Sequence, residues 1–148
     1  MNSKLFKAIL ICFFAMQIQS SFGQAVKRDL DKNIFIIVEA KIKPGQFDNF
    51  IKVAKHMSET VKANEAAALD YEWTITPDSS TCFILERYAS SEGSLAHNKL
   101  FQEQFAAKFN EVLEFVGLTV YGNPSKELKE AFGPAGAASK VLVAGFAR

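Results

Sequence analysis

From residue 34 to residue 42 the chain reads Ile-Phe-Ile-Ile-Val-Glu-Ala-Lys-Ile. Ile34, Ile36, Val38, Ala40 and Ile42 alternate with Phe35, Ile37, Glu39 and Lys41, which is strand periodicity with an apolar second face near its start. A sheet built on this strand therefore has two faces to cover. Few architectures do that within one short domain.

The apolar period then switches repeatedly. Pro44-Gly45 stops the first strand, and Phe47, Phe50, Ile51, Ala54, Met57 and Val61 recur at helical spacing to about residue 63. His56 projects opposite that stripe, so it is expected in solvent. Leu69, Tyr71, Trp73 and Ile75 alternate with Asp70, Glu72, Thr74 and Thr76. Pro77-Asp78-Ser79-Ser80 then turns the chain into a second apolar run, Thr81 to Ala89, which reads as a hairpin. A second helix is expected to carry Phe101, Phe105, Phe109, Val112 and Val116, ended by Gly117. Leu118 to Tyr121 reads as a short strand, Ser125 to Phe132 as a short helix, and Lys140 to Phe146 as a last strand.

The order β-α-β-β-α-β, with an extra C-terminal helix and strand, is the ferredoxin-like α+β plan. Both helices of that plan lie on one face. Since the first strand is apolar on both sides, a second copy of the same sheet is the simplest cover for the other, which predicts a homodimer.

At the N-terminus, Lys4 and Lys7 precede the apolar run Ala8 to Met16, and Ser21-Phe22-Gly23 places small residues at −3 and −1. This is a signal-peptide pattern over residues 1–23, with Gln24 the expected first mature residue. The run is shorter than the roughly 20 residues of a membrane-spanning helix, so the expected product is exported, periplasmic or secreted, with no membrane anchor. The full chain has 17 lysines and arginines against 16 acids; losing Lys4 and Lys7 leaves a net charge of −1 on residues 24–148. Near-neutrality gives no footprint for nucleic acid. Residues 24–148 suit one domain. Cys12 leaves with the leader, so Cys82 has no partner for an internal disulfide, and its setting in Cys82-Phe83-Ile84-Leu85 predicts a buried thiol.

The histidines and cysteine form no zinc or iron pattern, and no G-x-G-x-x-G, phosphate loop or G-x-S-x-G elbow occurs. The stretch Glu86-Arg-Tyr88-Ala-Ser90, followed by Leu95-Ala-His97 with Phe101 and Phe105, resembles the E-x-[WY]-x-S…H segment of the antibiotic biosynthesis monooxygenase family. Pro44-Gly45 before the first helix and Val120-Tyr121-Gly122-x-Pro124-Ser125 also fit. The resemblance covers roughly residues 33 to 122 and implies a dimeric α+β barrel of the quinol monooxygenase type. It further implies oxidation of a quinol or phenol by O₂ with no metal, flavin or haem as cofactor, the deprotonated substrate itself passing an electron to oxygen.

On that reading His97 takes the phenolic proton, Arg87 or Asn64 steadies the anion, and Trp73, Tyr71, Tyr88 and Phe101 are the candidate substrate-binding residues. Alternatives stand beside each. Trp73 and Tyr71 share a face with Leu69 and Ile75 and would serve equally as core. Arg87 alternates with Phe83 and Leu85 and needs an acidic partner, Glu39 or Glu72. Glu86, on the Cys82, Ile84 and Tyr88 side, reads as a sheet or dimer contact. His97 falls at the border of the apolar stripe near a helix N-terminus, where its pKa would be lowered, or where it would make a structural hydrogen bond. The alternative functions are a non-catalytic small-molecule-binding dimer and a haem-degrading relative with His97 as axial ligand beside Trp73.

Overall fold

A computed structural model describes Asp29 and residues 31–146; the expected leader lies outside the described residues. The elements are β1 (Ile34–Ile42), α1 (Phe47–Asn64), β2 (Ala68–Ile75), β3 (Thr81–Tyr88) and α2 (Ser91–Leu100). After α2 come a π turn (Phe101–Phe105), α3 (Ala106–Val112), β4 (Leu113–Tyr121), α4 (Lys126–Phe132), a 3₁₀ turn (Gly133–Ala135) and β5 (Ala138–Lys140).

The sheet runs β2-β3-β1-β4-β5, so β1 is central, as its doubly apolar sequence requires. It pairs antiparallel with β3 (Ile36 opposite Glu86) and with β4 (Ile36 opposite Val120), while β5 adds to β4 in parallel. This is the expected ferredoxin-like α+β fold with its C-terminal helix and strand. The helices cover one face, where Ala40, Phe50, Met57, Cys82, Ile84, Phe105 and Phe109 form the main core. A second cluster gathers Ile34, Ile36, Tyr88, Val120 and Leu128. On the helix-free face Ile37, Phe83 and Leu85 are half-buried in the single chain. There Arg87 pairs with Asp70 on β2, rather than with Glu39 or Glu72.

Two boundaries differ from the sequence reading. The second helix ends at Val112, and Val116 and Gly117, expected on its stripe and at its end, belong to β4. Glu39 faces Gly117 while Ala40 faces Phe115, so Val116 is the extra residue of a β-bulge; the glycine marks a bend within a strand, not the end of a helix. The last strand covers Ala138–Lys140 and stops where Lys140 to Phe146 was expected to begin. Beyond it Val141 and Val143 are exposed, without the ladder that their β-branched sequence anticipates. Among the described residues no helix is long and apolar enough to cross a membrane.

Candidate functional site

α2 is capped by Ser90, whose backbone is extended and whose side-chain oxygen accepts the Gly93 N–H, a standard N-cap. One turn in, Gly93 meets the α1–β2 connection so closely that an added Cβ would lie 2.7 Å from the Ala67 Cβ. Only a residue without a side chain permits that approach. The consequence appears four residues later on the same helix face. His97 reaches Glu65, the residue after α1, with Nδ1 3.0 Å from both carboxylate oxygens and both side chains less than one-tenth exposed. The carboxylate accepts, so Nδ1 carries the proton and Nε2 is the nitrogen left for a ligand.

The helix then loosens into the π turn, closed by an Ala106 N–H to Phe101 O bond. The extra residue changes which positions face the sheet: Asn98 before the π turn, Phe101 and Gln102 at its start, and Ala106, Phe109 and Asn110 after it lie on the wall of one cavity. That cavity, of about 460 Å³, lies between this helix and the sheet residues Ile36, Val38, Tyr71, Ile84 and Glu86. Its far wall is Phe115, Leu118, Phe132 and Pro134. α4 is held there because the Ser125 N–H donates to Ser91 Oγ at 2.9 Å and Leu128 is fully buried.

Polar groups converge at the sheet end. Glu86 is 5 % exposed and lines the cavity, with Tyr88 Oη donating to its Oε2 at 2.9 Å. The His97 ring lies 5.4 Å from the rings of both Tyr71 and Tyr88. Burial opposes the imidazolium, but the hydrogen bond to Glu65 and the charges of Glu86 and Glu65 outweigh it and raise His97 above its ordinary value. Burial likewise raises the Glu86 carboxyl, an effect that the nearby His97 and the Tyr88 hydrogen bond only partly offset. Burial first, then the charge of Glu86, holds the phenols of Tyr71 and Tyr88 above their ordinary values, so both remain hydrogen-bond donors.

The sequence-predicted residues divide accordingly. His97, Tyr71 and Phe101 line the cavity, and Tyr88 stands behind it, its ring tilted against His97 and its hydroxyl bonded to Glu86. Arg87 points to the helix-free face in its pair with Asp70, and Asn64 is exposed at the end of α1, donating to the Thr60 carbonyl. Neither belongs to the cavity. Trp73 packs under α1, its ring 6.0 Å from Phe50, and is not among the residues that line the cavity; Tyr71 touches the rings of both Trp73 and His97. His97 occupies the last turn of α2 rather than its N-terminus, and its pKa is raised where a lowered value was expected. His56 is exposed, as expected, with its ring edge on Phe105.

Glu65 was missed, since nothing local marks a carboxylate after a helix as the partner of a histidine 32 positions away. Glu86 was placed on the right face but given no task. Among the described residues no lysine or arginine lines the cavity, and no three His, Cys, Asp or Glu side chains form a metal-holding group. The arrangement can bind a neutral apolar molecule, remove a proton from it, and hold the resulting anion against His97.

A mixed sheet with helices on one face thus carries a carboxylate-backed imidazole on an apolar cavity, on a ferredoxin-like α+β scaffold. Residues 33–110 match the model of the antibiotic biosynthesis monooxygenase family, and the chain belongs to that family. Among solved structures, MupZ from Pseudomonas fluorescens is similar over 80% of this chain and 96% of its own, at 19% identity and a TM-score of 0.68. A candidate antibiotic biosynthesis monooxygenase from Caulobacter crescentus is similar at 25% identity and a TM-score of 0.50, covering 59% of this chain and 90% of that one. A Bacteroides thetaiotaomicron protein of unknown function, described as a possible oxidoreductase, is similar over 63% of this chain and 99% of its own, at 18% identity and a TM-score of 0.56. Among curated proteins none matches the sequence.

Proposed function

We propose that this protein is an exported, cofactor-independent monooxygenase that oxidises a quinol or phenol with O₂. The observation that carries this reading is His97: a buried imidazole backed by Glu65, lining an apolar cavity beside Tyr71. Family membership supports the reaction class.

A phenolic ring enters as a neutral molecule between Phe101, Phe109 and the sheet, with its hydroxyl at His97 Nε2. His97 removes the hydroxyl proton, and the Glu65 carboxylate stabilises the imidazolium that forms. The raised pKa makes the imidazole a stronger base than a free histidine. The phenolate rests against the same imidazolium, the role that sequence reasoning gave to Arg87 or Asn64. Apolar walls remove competing water, so the anion's electrons are available to O₂. For a quinol the balance closes without another reductant: quinol plus O₂ gives hydroxyquinone plus water, and the quinol supplies all four electrons.

The working assembly on this proposal is a homodimer, supported by the half-buried apolar residues Ile37, Phe83 and Leu85 on the helix-free face. Removal of residues 1–23 on export belongs to the same proposal and rests on the leader pattern. An oxygen electrode tests the activity. With 1,4-naphthohydroquinone, the mature protein should consume oxygen above the autoxidation rate and yield the hydroxyquinone. Consumption at the autoxidation rate, across a panel of quinols and phenols, overturns the enzymatic reading and leaves a binding protein.

A further inference from the structure

Glu86 is a buried carboxylate on the wall of the cavity, and the oxidation described above gives it no task. It sits opposite Tyr71 across the β2–β3 ladder, on the sheet side of the cavity that His97 lines from α2. We propose a second, oxygen-independent activity at this site: reversible enolisation of a neutral cyclic ketone, with Glu86 moving the proton at carbon and His97 the proton at oxygen.

Three features support it. Tyr88 donates to Glu86 Oε2 and fixes the carboxylate, which leaves Oε1 for a ligand. Glu65 occupies His97 Nδ1, which leaves Nε2 as a donor toward a carbonyl oxygen when the ring is protonated. The site thus holds a carboxylate base on the sheet and an imidazolium acid on the helix, both lining one apolar cavity. Moreover, with no lysine or arginine among the lining residues, a substrate that arrives as an anion finds the Glu86 carboxylate and a single imidazole already paired with Glu65, so the preferred ligand is neutral.

The step balances without oxidant or reductant. The C–H bond next to the carbonyl breaks, its electron pair forms the C=C bond, and the carbonyl π pair moves to oxygen. Glu86 holds the proton from carbon, and His97 gives its Nε2 proton to the oxygen. Reversal returns the ketone with a proton drawn from Glu86 after exchange with solvent. A carboxyl raised by burial is a stronger base than one in water, and an imidazole raised by its carboxylate neighbours remains an available acid. The cavity is the one proposed for oxidation but oxygen takes no part, so the two activities stand or fall separately.

The test is hydrogen–deuterium exchange at the α-carbon of 2-tetralone, followed by proton NMR in anaerobic D₂O with the mature protein. Wild type should exchange faster than buffer, and Glu86→Gln should lose about 10²-fold or more of that rate, the scale of a lost acid–base group. Tryptophan fluorescence, sensitive through the Trp73–Tyr71 contact, should show that the variant still binds the ketone. If the Gln variant does not fold, Tyr88→Phe replaces it: the carboxylate remains, the bond that aims it is gone, and exchange should fall about tenfold or more, the low end for a hydrogen bond to a charged group. Wild-type exchange at the buffer rate overturns the proposal, as does undiminished exchange in a folded Glu86→Gln or Tyr88→Phe protein.

Discussion

His97 Nδ1 stands 3.0 Å from each carboxylate oxygen of Glu65, across 32 residues of sequence and with both side chains less than one-tenth exposed. This pair fixes the imidazole's tautomer, aims its free nitrogen and strengthens it as a base.

The pair should set the pH dependence. If neutral His97 is the base, kcat/KM falls as pH drops through its raised pKa. Glu65→Gln removes the charge and weakens the bond that raise it, so the acid limb should move to lower pH while the maximal rate falls. Stability follows with the opposite sense. A histidine raised on folding stabilises fully below its unfolded value of about 6.5, and that contribution disappears as pH rises through the folded value. Thermal unfolding of Glu65→Gln should therefore show its largest deficit just below pH 6.5 and a smaller one at pH 9. An unmoved acid limb would make Glu65 a structural partner only.

Gly93 offers a test of how the pair is assembled. Alanine is the better helix former by about 1 kcal/mol, but its Cβ would sit 2.7 Å from that of Ala67. Overpacking of this kind costs about 1–3 kcal/mol, so the clash should win and Gly93→Ala should melt lower than wild type. It should also lower turnover, because α2 moves off the connection that carries Glu65. A higher melting temperature would mean that this contact yields freely.

Cys82 is fully buried, and burial pushes its thiol up to about 12. The native protein should accordingly resist a thiol-directed disulfide reagent for hours at pH 8, then react with one equivalent per mature chain in denaturant. Rapid native labelling would contradict the packing of β3 beneath α1.

Leu85→Glu tests the proposed assembly, since it introduces a charge at the centre of the helix-free face. The mature wild type should sediment as a dimer at micromolar concentration and the variant as a monomer. A compact wild-type monomer would leave that face uncovered and remove the sheet-on-sheet argument.

The fold was legible because its signals are local. Period two in Ile34–Ile42, period 3.6 in Phe47 to Val61 and the Pro77-Asp78 turn each depend on neighbours in sequence. The end of the second helix was not legible: Phe101, Phe105, Phe109, Val112 and Val116 keep helical spacing, while a π turn and a bulge at Val116 decide otherwise through contacts with β1. The site divides the same way. His97 stood out as the polar residue beside an aromatic stripe, and alternation put Arg87 with Phe83 and Leu85, away from Glu86. Glu65 could not be found, because its partnership arises from Gly93 drawing α2 onto the α1–β2 connection.

Oxygen uptake by wild type and His97→Ala, with 1,4-naphthohydroquinone and with thermal unfolding followed in parallel, tests the central claim most directly. Removing His97 leaves Glu65 buried without its partner, and breaking such pairs costs about 3–5 kcal/mol, so the rates belong at a temperature where the variant is native. There the account predicts uptake well above autoxidation for wild type and a loss of about 10²-fold or more in the variant. Undiminished uptake by folded His97→Ala would contradict it.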